Sequence, residues 1–475
     1  MNENSTQLAV IGGGPGGYAA AFLAADLGMK VTLIDLEPNP GGVCLYRGCI
    51  PSKALLHAAK VMNEAKEAEH FGLKFAPPEI DLDKLRNWKT QVVDQMTGGL
   101  GQLSKLRNIN YIKGRAQFLD NKTLQIEKAD GETEKLGFEY SILATGSRPA
   151  QIPAFEIGSE RVWNSTGALE LRDIPKKLLV IGGGYIGLEL GTVYTSLGSE
   201  VTVVEMTNGL LPGADRDLVK ILQERVLSMF HRILLETKVL SLKEESDGIR
   251  VDFEGAHLKE GESSQLFDNV LISVGRTPNS QGLGLENTQV VVNKRGFVEI
   301  DAQRRTAEPT IYAIGDIAGD PMLAHKASHE GRLAVEAIAG HKVAWEPRAI
   351  PAVVFTDPEI AWCGLTETEA RRDGIEVEVA RFPWGASGRA TTLDRNDGVT
   401  KLLIEPGTQR ILGMGICGAG AGELIAEGVI AIEMGAVADD VKLSIHPHPT
   451  LSETVMESAE VFFGQATHVY RPKKK

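Results

Sequence analysis

At 475 residues the chain is too long for one hydrophobic core, so about three domains are predicted. Its net charge of −13 argues against nucleic acid or an anionic membrane as the main partner. We expect neither a signal peptide nor a membrane span, and four cysteines in so long a chain fit a reducing, cytoplasmic setting.

The first predicted unit is a strand, a glycine-rich turn, a helix and a second strand. An apolar strand leads into a glycine-rich run that begins at Gly12, an alanine-rich helix follows, and the next strand ends at Asp35. Gly12 permits a tight turn, Gly14 lets the backbone approach a pyrophosphate, and Gly17 lets the helix pack on the strand. Asp35 can accept a hydrogen bond from a ribose hydroxyl. This pattern is typical of dinucleotide binding.

Just downstream, Cys44 and Cys49 lie five residues apart. On an ideal helix their side chains would point about 140° from each other, so a disulfide between them needs a distorted turn, which Gly48 and Pro51 could supply. A reachable, strained disulfide tends to be reactive. We expect Cys44 to open a helix, where the helix dipole favours a thiolate. Incidental thiols and a zinc site are the alternatives, and the second lacks two further ligands.

A second copy of the nucleotide pattern follows later in the chain. Gly182, Gly184 and Gly187 repeat the first loop, and Glu205 repeats Asp35 at the same offset of 170 residues. Two such copies are a much stronger signal than one. The acid would repel a 2′-phosphate, and residues 206–210 contain no Arg or Lys to receive one, so NAD is predicted over NADP.

Two nucleotide folds beside a cysteine pair indicate electron transfer between two cofactors and sulfur. The residues alone do not say which cofactor occupies which loop.

Further motifs give the chain a close resemblance to the pyridine nucleotide-disulfide oxidoreductases along essentially its whole length. Besides the two glycine loops and residues 44–53, the matching segments are Ala-Thr-Gly-Ser-Arg-Pro at 144–149, Ser-Val-Gly-Arg-Thr-Pro at 273–278, Ala-Ile-Gly-Asp at 313–316, Met-Leu-Ala-His-Lys at 322–326, and His-Pro-His-Pro-Thr-Leu-Ser-Glu at 446–453.

The resemblance implies an α/β fold with two Rossmann-like dinucleotide-binding domains and a C-terminal α+β dimerisation domain. The expected boundaries are 1–148 for the FAD domain, 149–276 for the NAD domain, 277–347 for a central domain that completes the FAD site, and 348–475 for dimerisation.

Cofactor-binding residues are implied by the same resemblance. For FAD they are Gly12, Gly14, Gly17, Asp35, Lys53, Ala116, Thr145, Gly146, Ser147, Asp316 and Ala324; for NAD they are Gly182, Gly184, Gly187, Glu205, Val239 and Gly275.

The resemblance also implies the chemistry. Cys44 would exchange with the substrate thiol, while Cys49 faces the flavin as a thiolate. His448 would act as the base across the dimer, with Glu453 orienting its ring. Lys53 and Glu189 would pair beside the flavin, and we interpret His446 as structural.

Among the members of the family, those that oxidise dihydrolipoyl groups match best. The implied partners are the lipoyl domains and acyltransferase core of 2-oxo acid dehydrogenase complexes, or the glycine cleavage complex, and a second copy of the chain. The alternatives are an NAD(P)H-dependent disulfide reductase or a mercuric reductase, whose C-terminal cysteine pair is missing here, and a docking subunit of a multienzyme complex.

Overall fold

The structure is a computed structural model, and it describes residues 4–470. Within them the chain forms a mixed sheet at the first glycine loop, a parallel sheet at the second, a C-terminal antiparallel sheet, and two small antiparallel sheets. None of the described helices combines the length and the apolar character that crossing a bilayer requires. The predicted α/β class is confirmed.

The N-terminal part carries the first glycine loop and the cysteine pair. Its strands are β1 (Ser5–Ile11), β2 (Val31–Asp35), β3 (Asn110–Phe118), β4 (Thr123–Lys128), β5 (Thr133–Leu143) and β6 (Ser147–Pro149), and its helices are α1 (Pro15–Asp26), α2 (Gly42–Arg47), α3 (Cys49–Glu67) and α4 (Leu82–Leu106).

The second part carries the second loop. Its strands are β7 (Val162–Trp163), β8 (Lys177–Ile181), β9 (Glu200–Val204), β10 (Arg232–Leu234), β11 (Thr237–Glu245), β12 (Gly248–Gly255), β13 (Ser264–Phe267), β14 (Asn269–Ile272) and β15 (Arg276–Pro278), and its helices are α5 (Ser165–Glu170), α6 (Tyr185–Leu197) and α7 (Arg216–Met229).

The remaining elements return to the first sheet and then build the C-terminal one. They are β16 (Ile311–Ala313), α8 (Ala324–Ile338), β17 (Ala352–Val354), β18 (Glu359–Gly364), α9 (Glu367–Asp373), β19 (Glu378–Pro383), α10 (Gly388–Thr392), β20 (Val399–Ile404), β21 (Ile411–Gly418), α11 (Ala421–Glu433), α12 (Ala438–Leu443) and α13 (Glu453–Phe463).

The sequence repeat is also a repeat of topology. The parallel strands run β3-β2-β1-β5-β16 in the first sheet and β10-β9-β8-β14-β7 in the second. In each, the strand that precedes the glycine loop is central, and the chain continues on both sides of it. Such a switch point leaves a crevice at the carboxyl end of the strands, where nucleotides bind. Both glycine loops therefore open into crevices of the same kind.

A buried ion cluster joins the second part to the C-terminal sheet. The Lys401 ammonium lies 2.8 Å from Asp215, 2.7 Å from Asp217 and 2.8 Å from Glu367. Asp215 also accepts hydrogen bonds from the backbone N–H groups of Glu367 and Thr368. The side chain of Lys401 is 1% exposed. Because three carboxylates share this one buried ammonium, the start of α7 is fixed against β20 and α9.

We expect Lys401→Met to lower the free energy of unfolding by about 3–5 kcal/mol, because it leaves the buried carboxylate of Asp215 without its cation. Urea unfolding of the variant and of Lys84→Met measures this. Lys84 pairs with Asp81 at an 86% exposed position, where the loss should stay below about 1 kcal/mol. Equal losses in the two variants would show that the buried cluster does not hold the domains together.

Candidate redox and dinucleotide site

Both glycine loops begin with a turn that excludes other residues. Gly12 has φ +104° and Gly182 has φ +109°, which is a region that side-chain-bearing residues rarely adopt. A Cβ at Gly12 would lie 2.3 Å from the carbonyl oxygen of Ala144, and one at Gly182 would lie 2.6 Å from that of Ser273. Each turn therefore packs directly against the end of the neighbouring strand.

The last glycine of each loop sets how closely the helix approaches its strand. A Cβ at Gly17 would lie 1.8 Å from the carbonyl oxygen of Gly12, and a Cβ at Gly187 would lie 2.3 Å from that of Gly182. Any side chain at these positions would push the helix away from the loop. The N-terminus of each helix is thereby held over the turn.

These helix N-termini fit a pyrophosphate. α1 begins after Gly14 and α6 after Gly184, and neither helix has a side-chain cap or an acidic residue in its first turn. The free N–H groups and the positive end of the helix dipole therefore face outward. A Cβ at Gly184 would meet nothing within 4 Å, so the space beside the backbone is open to a ligand. The residues of both loops fit a dinucleotide.

The acid after each second strand is anchored to its glycine loop. Asp35 accepts hydrogen bonds from the N–H groups of Gly13 and, at 2.8 Å, of Glu37. Glu205 accepts from Gly183 at 2.7 Å and from Thr207 at 2.8 Å. A carboxylate has about four acceptor positions, so each can still receive ribose hydroxyl groups. Burial raises the pKa of Asp35, although these N–H groups oppose the shift.

Gly13 and Gly183 are functional positions that the sequence interpretation did not single out. The signal was present, because each is the middle glycine of a Gly-Gly-Gly run.

The loop after Glu205 offers no free cation to a 2′-phosphate. Arg216 comes near Gly209, but its guanidinium donates to the carbonyl oxygens of Leu210, Leu211 and Ala214. This arrangement favours NAD.

The segment after β5 meets the crossing between the first and second parts. Ser147 Oγ donates to Asp316 at 2.5 Å and accepts from Arg276 Nε at 2.7 Å. Thr145 Oγ1 donates to the carbonyl oxygen of Asn279 at 2.9 Å. β6 pairs with β15 here. Arg276, which the sequence interpretation did not list as a site residue, links these strands to Asp316.

A buried ion group fixes the turn that carries Asp316. The Glu330 carboxylate accepts from the Gly315 N–H at 2.6 Å and contacts Arg304 at 3.0 Å and Lys326 at 3.2 Å. Of the other residues expected at the cofactors, Ala324 begins α8, Ala116 is buried on β3, Val239 is buried on β11, Gly146 follows β5, and Gly275 lies just after β14.

The helix between the cysteines is broken at Gly48. Cys44 is the third residue of the short helix α2, and Cys49 is the first residue of the long helix α3. A Cβ at Gly48 would lie 2.9 Å from the carbonyl oxygen of Val43. The distorted turn that the sequence predicted at Gly48 is therefore present. Cys44 lies in the first turn of α2, two residues after its start, and the break places Cys49 at a second helix N-terminus.

The two thiols are both free and lie close enough to affect each other's pKa. The hydrogen bond between them, followed by burial, raises the pKa of Cys44. The same hydrogen bond lowers the pKa of Cys49 to about 7, and Lys53 adds to this against the effect of burial. In the reduced pair the negative charge therefore belongs to Cys49 and not to Cys44, because Cys44 donates and Cys49 accepts.

One turn along α3, Lys53 pairs with a buried acid. Lys53 Nζ lies 2.8 Å from Glu189 Oε2, and Ser52 Oγ donates to the same oxygen at 3.2 Å. The other oxygen of Glu189 accepts from the Phe355 N–H at 2.9 Å. Glu189 lies on α6, so the pair joins the cysteine helix to the second glycine loop.

Tyr185, the first residue of α6, is also influenced by residues from both nucleotide units. Burial raises the pKa of its hydroxyl to about 12, and the charges of Arg276, Glu189 and Asp316 act on it as well. Charges from both halves of the repeat therefore act on this one hydroxyl.

His448 lies apart from the cysteines. Its Nδ1 contacts Glu453 Oε1 at 2.8 Å, and Glu453 Oε2 accepts from the Thr450 N–H at 2.8 Å. The imidazole is 75% exposed, and among residues 4–470 no hydrogen bond or ion pair joins it to Cys44 or Cys49. His446 is buried in a separate pair with Glu427 at 2.6 Å.

Comparison with known proteins assigns the family. The family described as "Pyridine nucleotide-disulphide oxidoreductase" matches residues 6–331, and its dimerisation domain matches residues 350–459. The chain belongs to this family. It is a flavoprotein oxidoreductase that uses FAD and NAD.

Relatives cover the whole chain. The dihydrolipoyl dehydrogenase of Vibrio parahaemolyticus is 47% identical and that of Haemophilus influenzae is 48% identical, each over 100% of this chain and 98% of the relative. Among solved structures, LpdA of Mycobacterium tuberculosis has a TM-score of 0.89 at 26% identity over 96% of this chain and 99% of its own. The HOCl-induced flavoprotein disulfide reductase RclA of Escherichia coli has a TM-score of 0.86 at 27% identity over 96% and 99%.

We expect Cys44→Ala to raise the pKa of Cys49 from about 7 by about one unit or more toward an ordinary thiol, because the thiolate loses its hydrogen-bond donor. The pH dependence of Cys49 alkylation by iodoacetamide in the reduced protein, read by mass spectrometry, measures this. Cys363→Ala, which removes a buried thiol elsewhere, should leave the midpoint unchanged. An unchanged midpoint in Cys44→Ala would mean that Cys44 does not stabilise the thiolate.

Proposed function

We propose that this protein is a dihydrolipoyl dehydrogenase: it reoxidises protein-bound dihydrolipoyl groups through a Cys44–Cys49 redox disulfide and FAD and passes the electrons to NAD. The observation that carries the proposal is the placement of the two cysteines on either side of the break at Gly48, with Cys49 at the N-terminus of a helix that Lys53 and Glu189 tie to α6. The names of the full-length relatives agree with this substrate.

In the oxidised protein, the reaction begins with thiol–disulfide exchange. His448 of the partner subunit takes a proton from one substrate thiol, and the resulting thiolate attacks Cys44. The Cys44–Cys49 bond breaks, and Cys49 leaves as a thiolate. The second substrate thiol attacks the substrate sulfur of the mixed disulfide, and the bond to Cys44 breaks. The proton of this thiol passes to the departing Cys44 sulfur, so that the lipoyl disulfide and a Cys44 thiol result while the first proton remains on the partner's His448. One electron pair has then moved from the substrate to the cysteine pair.

The difference between the two cysteines suits this direction of exchange. A thiol of lower pKa leaves a disulfide faster, and the pKa of Cys49 lies at about 7. Attack at Cys44 therefore expels the better leaving group.

His448 and Glu453 form a base with a fixed ring orientation. Because the Glu453 carboxylate contacts Nδ1, the other ring nitrogen is left to accept the substrate proton. The exposure of the imidazole is consistent with action on a neighbouring subunit, and members of the family work as homodimers.

The dinucleotides would lie in the two loops already described. FAD is assigned to the loop at Gly12, with Asp35 at its ribose and Asp316 near its ribityl chain, and NAD to the loop at Gly182, with Glu205 at its ribose. When bound, the flavin supplies the electron acceptor for the cysteines and the hydride donor for NAD. Lys53, held by Glu189, would stabilise negative charge at the reduced ring.

The physiological electron donors in this proposal are lipoyl groups on the lipoyl domains of 2-oxo acid dehydrogenase or glycine cleavage complexes, with docking to an acyltransferase core. A swinging lipoyl arm suits a thiol exchange site that is reached from outside.

The test is anaerobic nicotinamide reduction by the FAD-loaded protein with dihydrolipoamide, with NAD and NADP offered in parallel. We expect fast reduction of NAD and at most slow reduction of NADP, because Glu205 repels a 2′-phosphate. No reduction of either, in protein with FAD bound and both cysteines intact, would refute the substrate assignment. Faster reduction of NADP would refute the role of Glu205.

A further inference from the structure

A second histidine–carboxylate pair lies beside the first. Glu457 follows Glu453 by one turn of α13, so the two side chains share one face of the helix. Glu457 Oε1 contacts Nδ1 of His468 at 2.5 Å. His468 lies beyond the end of α13, and the chain turns back after Gly464 to reach this position.

Glu457 depends on His468 for its charge balance. Its side chain is only 5% exposed, and Oε2 is buried without a hydrogen-bond partner. Within residues 4–470, His468 is the one basic side chain at ion-pair distance from it. A buried carboxylate is costly unless an opposite charge faces it. A positive charge on His468 would therefore cancel that of Glu457.

The other charged groups near α13 either form ion pairs with other residues or are negatively charged like Glu457. Glu460 also has a buried oxygen without a partner, and burial together with the charge of Glu457 raises its pKa. The remaining charged side chains on the elements packed against α13 are Glu378 and Arg381 of β19, Lys401 of β20, and Asp439, Asp440 and Lys442 of α12. Arg381 and Lys401 pair with the acids of the buried ion cluster described above, Asp215, Asp217 and Glu367. Lys442 pairs with Asp439.

We propose that His468 is a positioning residue for thiol oxidation: its pairing with Glu457 limits the negative charge that acts on the ring of His448. The inference rests on the role of His448 proposed above. His468 lies in the C-terminal segment, outside the motif at residues 446–453.

The carboxylates of Glu453 and Glu457 lie one turn apart on α13, and each contacts one of the two histidines. Without a positive charge at His468, the anion at Glu457 would lie one turn from the Glu453 carboxylate, and both would stabilise a protonated His448 ring. Burial tends to raise the pKa of Glu453, but the hydrogen bonds from Thr450 and His448, with the charges of His448 and His468, bring it below its usual value. The two pairs are therefore electrostatically coupled.

The experiment measures kcat/KM for dihydrolipoamide against pH in the FAD-loaded homodimer. His468→Gln keeps a hydrogen-bond donor for Glu457 but removes the charge. We expect the midpoint of its acidic limb to rise by about 0.3–1 pH unit, because the base is protonated up to higher pH. Glu457→Gln/His468→Gln removes both charges and should return the midpoint to the wild-type value.

Two controls separate this effect from damage. His70→Gln alters an exposed histidine that pairs with Asp394 and should leave the profile unchanged. NADH oxidation by ferricyanide needs no thiol proton transfer, so its pH dependence should be the same in every variant.

No rise in His468→Gln, or a rise that the double variant keeps, would overturn the inference. His448→Gln tests the role of His448 as the base separately from the role of His468. If it abolishes dihydrolipoamide oxidation while His468→Gln has no effect on the midpoint, only the role of His468 fails. If it retains full turnover, the proposed base fails, and the role of His468 fails with it.

Discussion

The break between α2 and α3 is the constraint on which the redox site depends. An unbroken helix would point Cys44 and Cys49 in different directions, whereas the turn at Gly48 brings their thiols close to each other. The same break creates a new helix N-terminus, and Cys49 stands at it. One backbone feature therefore supplies both the geometry for a disulfide and the environment that stabilises one thiolate. The Lys53–Glu189 pair follows from it, because α3 carries Lys53 to Glu189 on α6.

The two dinucleotide loops have the same local structure. In each, an acid at the end of the second strand accepts from the middle glycine, and an uncapped helix points its N–H groups at the same space. Pairing of β6 with β15 and the Lys401 cluster hold the two units and the C-terminal sheet in place. A redox chain needs such rigidity, because electron and hydride transfer require closely placed partners.

Much of the fold and part of the site could be predicted from the sequence. The spacing of the glycines predicted where the strands, turn and helix of both nucleotide units lie, because each of these glycines is required by local steric contacts. The distorted turn at Gly48 was predicted, because a disulfide between residues five apart requires one. From the helix dipole the thiolate was expected at Cys44, whereas the pKa of Cys44 is raised and that of Cys49 is lowered, because this depends on which thiol donates to the other. Arg276 and the Glu457–His468 pair were missed because their partners are remote in sequence or carry no motif. The role of His448 came from resemblance, and a single subunit does not bring it to the cysteines.

The most direct test of the central claim is the electron uptake of the FAD-loaded protein during anaerobic titration with dithionite. A cysteine pair coupled to the flavin predicts that the wild-type protein takes up two electron pairs per subunit, one for the disulfide and one for FAD, while Cys49→Ser takes up only the flavin pair. Equal uptake by both proteins would show that Cys44 and Cys49 do not form a redox couple, and the account would be wrong.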